Sequence, residues 1–193
     1  MAWFECNGGG SSPTPTKTPF IGSTGMQYLT LPYYCDDYPV IKAKLMTLTP
    51  NQQVIIGDTS WDVSGFIFYC DNTLAKLCLR YSNSGISDIS NAKWLSPVDV
   101  EIDYSTGDIK YDGVTYSGSP KSQLHNQITI FGNPSNRQGN LILFGLQVYT
   151  NDNLVMDLVP MKDLQSGAGY LHDTIGGQDY FSGSNTPLFY GEI

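Results

Sequence analysis

The stretch "LILFGLQVYTNDNLVMDLVP", residues 141–160, decides the fold. Its first ten residues form a nearly continuous apolar run, the pattern of a central strand buried on both faces. Asn151–Asp152–Asn153 turns the chain, and "LVMDLVP" follows as a second strand. Alternation sends Leu154, Met156 and Leu158 one way and Val155, Asp157 and Val159 the other. Asp157, a carboxylate on a largely apolar strand, needs partners such as loop amides or a hydroxyl. Pro160 has no N–H to give to a ladder and is expected to end the strand and redirect the chain. Further on, Asp173 precedes the Gly176–Gly177 turn and can accept its backbone N–H bonds. Both carboxylates read as parts of the fold, not of a reaction.

The same rhythm runs outward from this hairpin. In "YPVIKAKLMTL" (38–48), Val40, Lys42, Lys44 and Met46 share one side, and Ile41, Ala43, Leu45 and Thr47 the other. Lys42 and Lys44 are therefore expected on an exposed face. "VDVEIDYSTGDIKYDGVTYSG" (98–118) reads as a three-strand meander. In it Val98, Val100 and Ile102 alternate with Asp99, Glu101 and Asp103, and the turns fall at Ser105–Gly107 and Asp112–Gly113. "SGFIFYC" and "LAKLCLRYS" form a further hairpin, across which Cys70 and Cys78 come near each other as two buried thiols or a disulfide. No segment longer than two turns has helical periodicity. Thirteen tyrosines, twenty glycines and acidity drawn from Asp rather than Glu agree with many short antiparallel strands.

A net charge of −8 argues against binding nucleic-acid phosphates. No apolar run approaches the roughly 20 residues of a membrane span, so no membrane insertion is expected. The chain starts without the basic flank and apolar core of a secretory signal, which makes cytosolic synthesis the default. It begins "MAWFECNGGGSSPTPTKTPF". Trp3, Phe4 and Cys6 precede a Gly/Ser tract and a Pro-stiffened stretch. We read residues 1–19 as an anchoring arm and tether, with Trp3, Phe4 and Cys6 docking to a partner, and 20–193 as the folded body.

The four cysteines lack metal-ligand spacing, and His125 and His172, the two histidines, have no matching ligands near them. Asp58, Asp62 and Asp71 lie in or beside loops, so calcium is the one candidate ion, although the EF-hand spacing is absent; no cofactor is expected. Asp99, Glu101 and Asp103 share a strand face, as a carboxylate pair for glycoside cleavage would, but so do the alternate polar positions of any outer strand. Cys35–Asp36–Asp37 reads as a surface turn. Tyr34, Trp61 and Trp94 are candidates for stacking on sugar rings, and equally for packing at a subunit interface.

The order of segments resembles the concanavalin-like (LamG-type) jelly-roll domains of bacteriophage virion proteins. "IGSTGMQYLTL", "YPVIKAKLM" and "QQVIIGD" resemble the opening strands of that family. The closing half is similar through Leu154, Val155, Asp157–Pro160, Gly169–Leu171, Asp173 and Tyr180–Ser182, with Met156 where a basic residue is usual. The resemblance spans about residues 20–190. It implies an all-β, antiparallel two-sheet jelly-roll sandwich with an extended N-terminal arm. It further implies a non-enzymatic virion structural protein (head or tail fibre, appendage or decoration) located on the particle. Capsid or tail proteins would be its partners, and copies would form a symmetric homo-oligomer, a trimer being one candidate. The alternative expectation is a carbohydrate-binding module that recognises host surface glycan.

Overall fold

The computed structural model describes residues 15–49, 53–58, 66–71, 76–81, 86–89, 92–118, 125–132 and 139–191. In chain order the strands are β1 (Thr16–Lys17), β2 (Phe20–Thr24), β3 (Leu29–Tyr34), β4 (Val40–Thr47), β5 (Gln53–Asp58), β6 (Phe66–Asp71), β7 (Lys76–Tyr81), β8 (Ile86–Ile89) and β9 (Val98–Asp103). They continue with β10 (Asp108–Tyr111), β11 (Val114–Tyr116), β12 (Gln127–Ile130), β13 (Asn140–Thr150), β14 (Asn153–Lys162), β15 (Gly169–Asp173), β16 (Asp179–Tyr180) and β17 (Phe189–Gly191). Among the described residues the one helical element is a 3₁₀ turn at Cys35–Asp37.

Two antiparallel sheets face each other as a sandwich, as expected. The larger runs β11-β10-β9-β4-β13-β14-β15-β16, with β2 on β13, β17 on β2 and β1 on β14. The smaller runs β3-β12-β5-β6-β7-β8. The inward sets close one core: Ile41, Ala43 and Leu45 from β4, Val98, Val100 and Ile102 from β9, and Leu146 and Val148 from β13 pack with Leu29, Leu31, Phe68, Leu77, Ile128 and Ile130. Alternation at period two explains the partition: the intervening residues of β4 and β9, Lys42, Lys44, Asp99 and Glu101, point away from the core.

The β13–β14 hairpin has the expected turn. Thr150 pairs with Asn153, leaving Asn151 and Asp152 as a two-residue loop at φ 49° and 62°. Both values are left-handed, the geometry that suits the strand twist and that Asn and Asp tolerate best after Gly. β13 is central by pairing, but it is not buried on both faces throughout. Its pairing with β4 shifts between Leu143 and Gly145, so Phe144 is an extra, bulged residue. Without the bulge Gly145 and Gln147 would follow Leu141 and Leu143 into the core; with it, Leu146 and Val148 take the core positions and Gly145, Gln147 and Tyr149 face out, half-buried.

Three further expectations are corrected by register. Pro160 does not end its strand; β14 runs on to Lys162, with Pro160 opposite Leu171. In an antiparallel ladder a residue's N–H and C=O point to the same side, and the Pro160 carbonyl accepts from Thr18 N at 3.1 Å. The missing donor therefore faces the incoming chain, not β15. Residues 16–18, read above as tether, belong to the sheet: Thr16 and Lys17 pair with Lys162 and Met161, and buried Thr18 donates its hydroxyl to the Gly191 carbonyl at 2.6 Å. Cys70 lies opposite Leu77, and Tyr69 opposite Cys78, so the two cysteines do not face each other but are offset by one residue; Cys70 is a buried thiol, the favoured of the two expected states.

Candidate ligand-binding groove

The outward side chains of the larger sheet line a groove of about 660 Å³ that crosses its middle strands. Strand register builds it. Lys110 of β10 lies opposite Glu101 of β9, Glu101 opposite Lys42 of β4, Lys42 opposite Gln147 of β13, and Gln147 opposite Asp157 of β14. One polar row thus crosses five strands.

Contacts run along most of that row. Lys42 Nζ is 3.4 Å from Glu101 Oε2 and 4.9 Å from the centroid of the Tyr149 ring. The Tyr149 hydroxyl donates to Gln147 Oε1 at 2.9 Å, and Gln147 Nε2 donates to Asp157 Oδ1 at 3.1 Å. Asp157 Oδ2 accepts from the Thr174 hydroxyl at 2.8 Å. Asp157 has therefore found the expected hydroxyl, and in place of loop amides the side-chain amide of Gln147 on the neighbouring strand. The ion pair is half-exposed and contributes little to stability; together with the Tyr149 ring it biases Lys42 toward one position.

Beside the polar row, Phe144 adds an apolar surface. Its ring packs edge-on against Phe20, with centroids 5.9 Å apart. Phe20 is in turn seated over Gly191, where a Cβ would lie 1.9 Å from its ring. Gly145 keeps the floor low: a Cβ there would meet only the Leu158 carbonyl oxygen, at 3.6 Å.

Behind the groove, Asp173 performs the expected turn-capping role. Its buried carboxylate accepts from Ile175 N at 3.1 Å, Gly176 N at 3.0 Å and Asp157 N at 3.0 Å. A side chain at Gly176 would put a Cβ 2.5 Å from Asp173 Oδ2. Asp173 thus ties the Gly-Gly turn to the strand that presents Asp157.

The sequence-read candidates are dispersed. Asp99 and Glu101 line the groove, but Asp103 does not. Burial would raise the Asp103 pKa, yet Ser105 N, the Ser105 hydroxyl and Thr106 N donate to Oδ1 and bring it below the usual carboxylate range. Tyr34 lies in the smaller sheet just before the 3₁₀ turn and stacks on His125 at 3.8 Å, while His125 Nδ1 meets Asp36 at 3.1 Å. Trp94 is half-buried against the core near the other end of β4, where its neighbour Leu95 bonds to Thr47. His172 pairs with Asp179 at 2.7 Å. Asp58 is buried at the end of β5, and among the described residues no three His, Cys, Asp or Glu side chains form a metal-holding group. Trp3, Phe4, Cys6, Trp61 and Asp62 lie outside the described residues.

Cys35 is buried rather than exposed in a surface turn. Desolvation, followed by the charges of Asp58, Asp36 and Asp37, pushes its thiol far above the ordinary cysteine range. Burial thus disfavours the nucleophilic thiolate. Site-resolved iodoacetamide labelling is expected to leave Cys35 unmodified in the native protein and to modify it in denaturant; rapid native labelling would contradict its burial.

Phe144, Gln147, Tyr149 and Lys110 escaped the sequence reading. The run "FGLQVYT" does alternate after Gly145, which was the available signal.

No family model and no curated protein matches this chain. Among solved structures it is similar to a mutant of Trypanosoma rangeli sialidase displaying trans-sialidase activity, with a TM-score of 0.46 and 13% identity over 59% of this chain and 21% of that one. It is also similar to Trypanosoma rangeli sialidase in complex with 2,3-difluorosialic acid, with a TM-score of 0.46 and 11% identity over 60% and 21%. The chain thus spans about a fifth of the structures it matches. The expectation of a protein without enzymatic activity is corrected by this finding: both solved structures are of enzymes. At this TM-score the partial overlap assigns neither a reaction nor a residue to the chain. No helix among the described residues is long and apolar enough to cross a membrane.

Proposed function

We propose that this chain is a glycan-binding β-sandwich carried on a bacteriophage particle, and that it holds sugar in the groove on the outer face of its larger sheet. One observation carries the binding part: a preformed network of Lys42, Glu101, Tyr149, Gln147 and Asp157 lies beside the apolar ring of Phe144. A sugar needs both kinds of surface at once. Its hydroxyls require several fixed donors and acceptors, and its C–H face packs on an aromatic or apolar patch. The groove's volume falls within the roughly 300–1,000 Å³ common for ligand sites. The particle location rests on the resemblance of the closing segment to virion jelly-roll domains. Trp3, Phe4 and Cys6 are the proposed attachment to capsid or tail.

On an array of bacterial surface glycans the full chain is expected to bind a restricted set. Gln147→Ala should weaken that binding by about tenfold, the loss of one well-placed hydrogen-bonding group. Unchanged binding by Gln147→Ala, with the fold intact, would move the sugar elsewhere on the molecule. For the attachment, Trp3→Ala with Phe4→Ala should leave a folded protein that is missing from purified particles.

A further inference from the structure

We infer that the groove receives an uncharged oligosaccharide chain of several rings, laid across the strands, rather than a single sugar or a charged polymer. The inference rests on the glycan-binding reading and adds the length, direction and charge class of the ligand.

Length and direction come from register. Lys110, Glu101, Lys42, Gln147 and Asp157 stand on five successive strands of one sheet. Four inter-strand gaps of roughly 4.8 Å make the row about 19 Å long. A single hexose touches groups on about two neighbouring strands at that spacing, so most of the row would stay idle under a monosaccharide. The row runs perpendicular to the strands, and so must a chain that uses all of it.

Charge class comes from the lining. Lys42, Lys44 and Lys110 stand beside Asp99, Glu101 and Asp157, so the groove carries no net charge. The chain as a whole carries −8. A polyanion therefore meets repulsion from the protein without compensating attraction in the groove. A polycation would gain from the net charge of the protein but, like a polyanion, finds no net attraction in the groove itself. A neutral polyol needs no such attraction. It also finds donors and acceptors already placed, because Lys42 is biased toward one position by Glu101 and Tyr149, and Gln147 is held by Tyr149 and Asp157. Binding then orders few additional side chains.

The test is calorimetric titration of the full chain with gluco-, manno- and xylo-oligosaccharides of one to six rings, and with alginate and hyaluronan oligomers of equal length. For the neutral series that binds, affinity is expected to rise at least about tenfold between two and four rings and then level off. The anionic oligomers should bind more weakly by a similar factor. Lys110→Met keeps the stem but removes the charge at the outer end of the row, and it should abolish most of the gain from length. Lys110→Gln, checked for an unchanged melting temperature, guards against a folding artefact. Equal affinity for one and four rings, or tighter binding of an anionic oligomer, overturns this inference while leaving the glycan-binding proposal intact. Failure of every sugar to bind overturns both, and binding of a peptide at the groove instead would do the same.

Discussion

Asp173→Ala is expected to lower the stability of the sandwich by about 3–5 kcal/mol, with Asp173→Asn falling between it and the natural protein. The carboxylate is 3% exposed and accepts from three backbone amides, those of Asp157, Ile175 and Gly176. Alanine removes every acceptor: Asp157 N, on the half-buried strand, loses its partner, while Ile175 N and Gly176 N, on exposed residues, must turn to water and free the turn. Asparagine retains one oxygen and brings an amide group that must itself find acceptors. For a chain of this size the alanine variant's melting temperature should fall by roughly 10 °C, read by circular dichroism. A fall of only a degree or two would mean that the Gly176–Gly177 turn finds other acceptors. The loss should extend to ligand binding, because Asp173 holds the backbone of Asp157, whose carboxylate in turn fixes Gln147.

Much of this clamp was legible in the sequence because its cause is local. Asp173 sits three residues before Gly176, and an Asx-type turn needs nothing else. The same holds for Asn151–Asp152, whose side chains tolerate left-handed backbone, and for Lys42 and Lys44, whose alternation with Ile41, Ala43 and Leu45 settles which face is wet. What was not legible depends on partners distant in the chain. The bulge at Phe144 exists only relative to β4, and it alone decides that Gly145 and Gln147 face out. Pro160 looked like a terminator because the missing donor was visible and the chain opposite it, Thr18, was not. The offset of Cys70 against Cys78 is one residue of register, which spacing across a turn does not determine. Three members of the polar row were in plain view, Glu101, Lys42 and Asp157, each on its own strand; Lys110 and Gln147 were not. What joined them was strand order: β4 lies between β9 and β13, and no local pattern encodes that placement.

Gly22→Ala is expected to destabilise the protein by about 1–3 kcal/mol, against the usual direction for glycine in an extended strand. Gly22 is buried in β2, between Ile142 of β13 and Phe189 of β17. Its backbone is in a region open to any residue, so alanine would ordinarily stabilise slightly by restricting the unfolded chain. Here the Cβ would lie 2.1 Å from Phe189 Cζ, overlapping that end of the ring. The ring must leave, and the surface it covers on the outer face becomes exposed. The sign can be separated from generic disturbance with a double-mutant cycle. In a Phe189→Ala background the clash is gone, and Gly22→Ala should become neutral or mildly stabilising, giving a coupling of about 1–2 kcal/mol from urea midpoints. If Gly22→Ala costs the same in both backgrounds, Phe189 is not the reason for the glycine. The pair Phe20 and Gly191 repeats the arrangement one step along β2, with the ring again occupying the space of an absent Cβ. Phe20 also touches Phe144. Glycine at these two positions therefore lets the ends of two aromatic rings sit against β2 and β17, and the Phe20 ring in turn supports the apolar side of the groove.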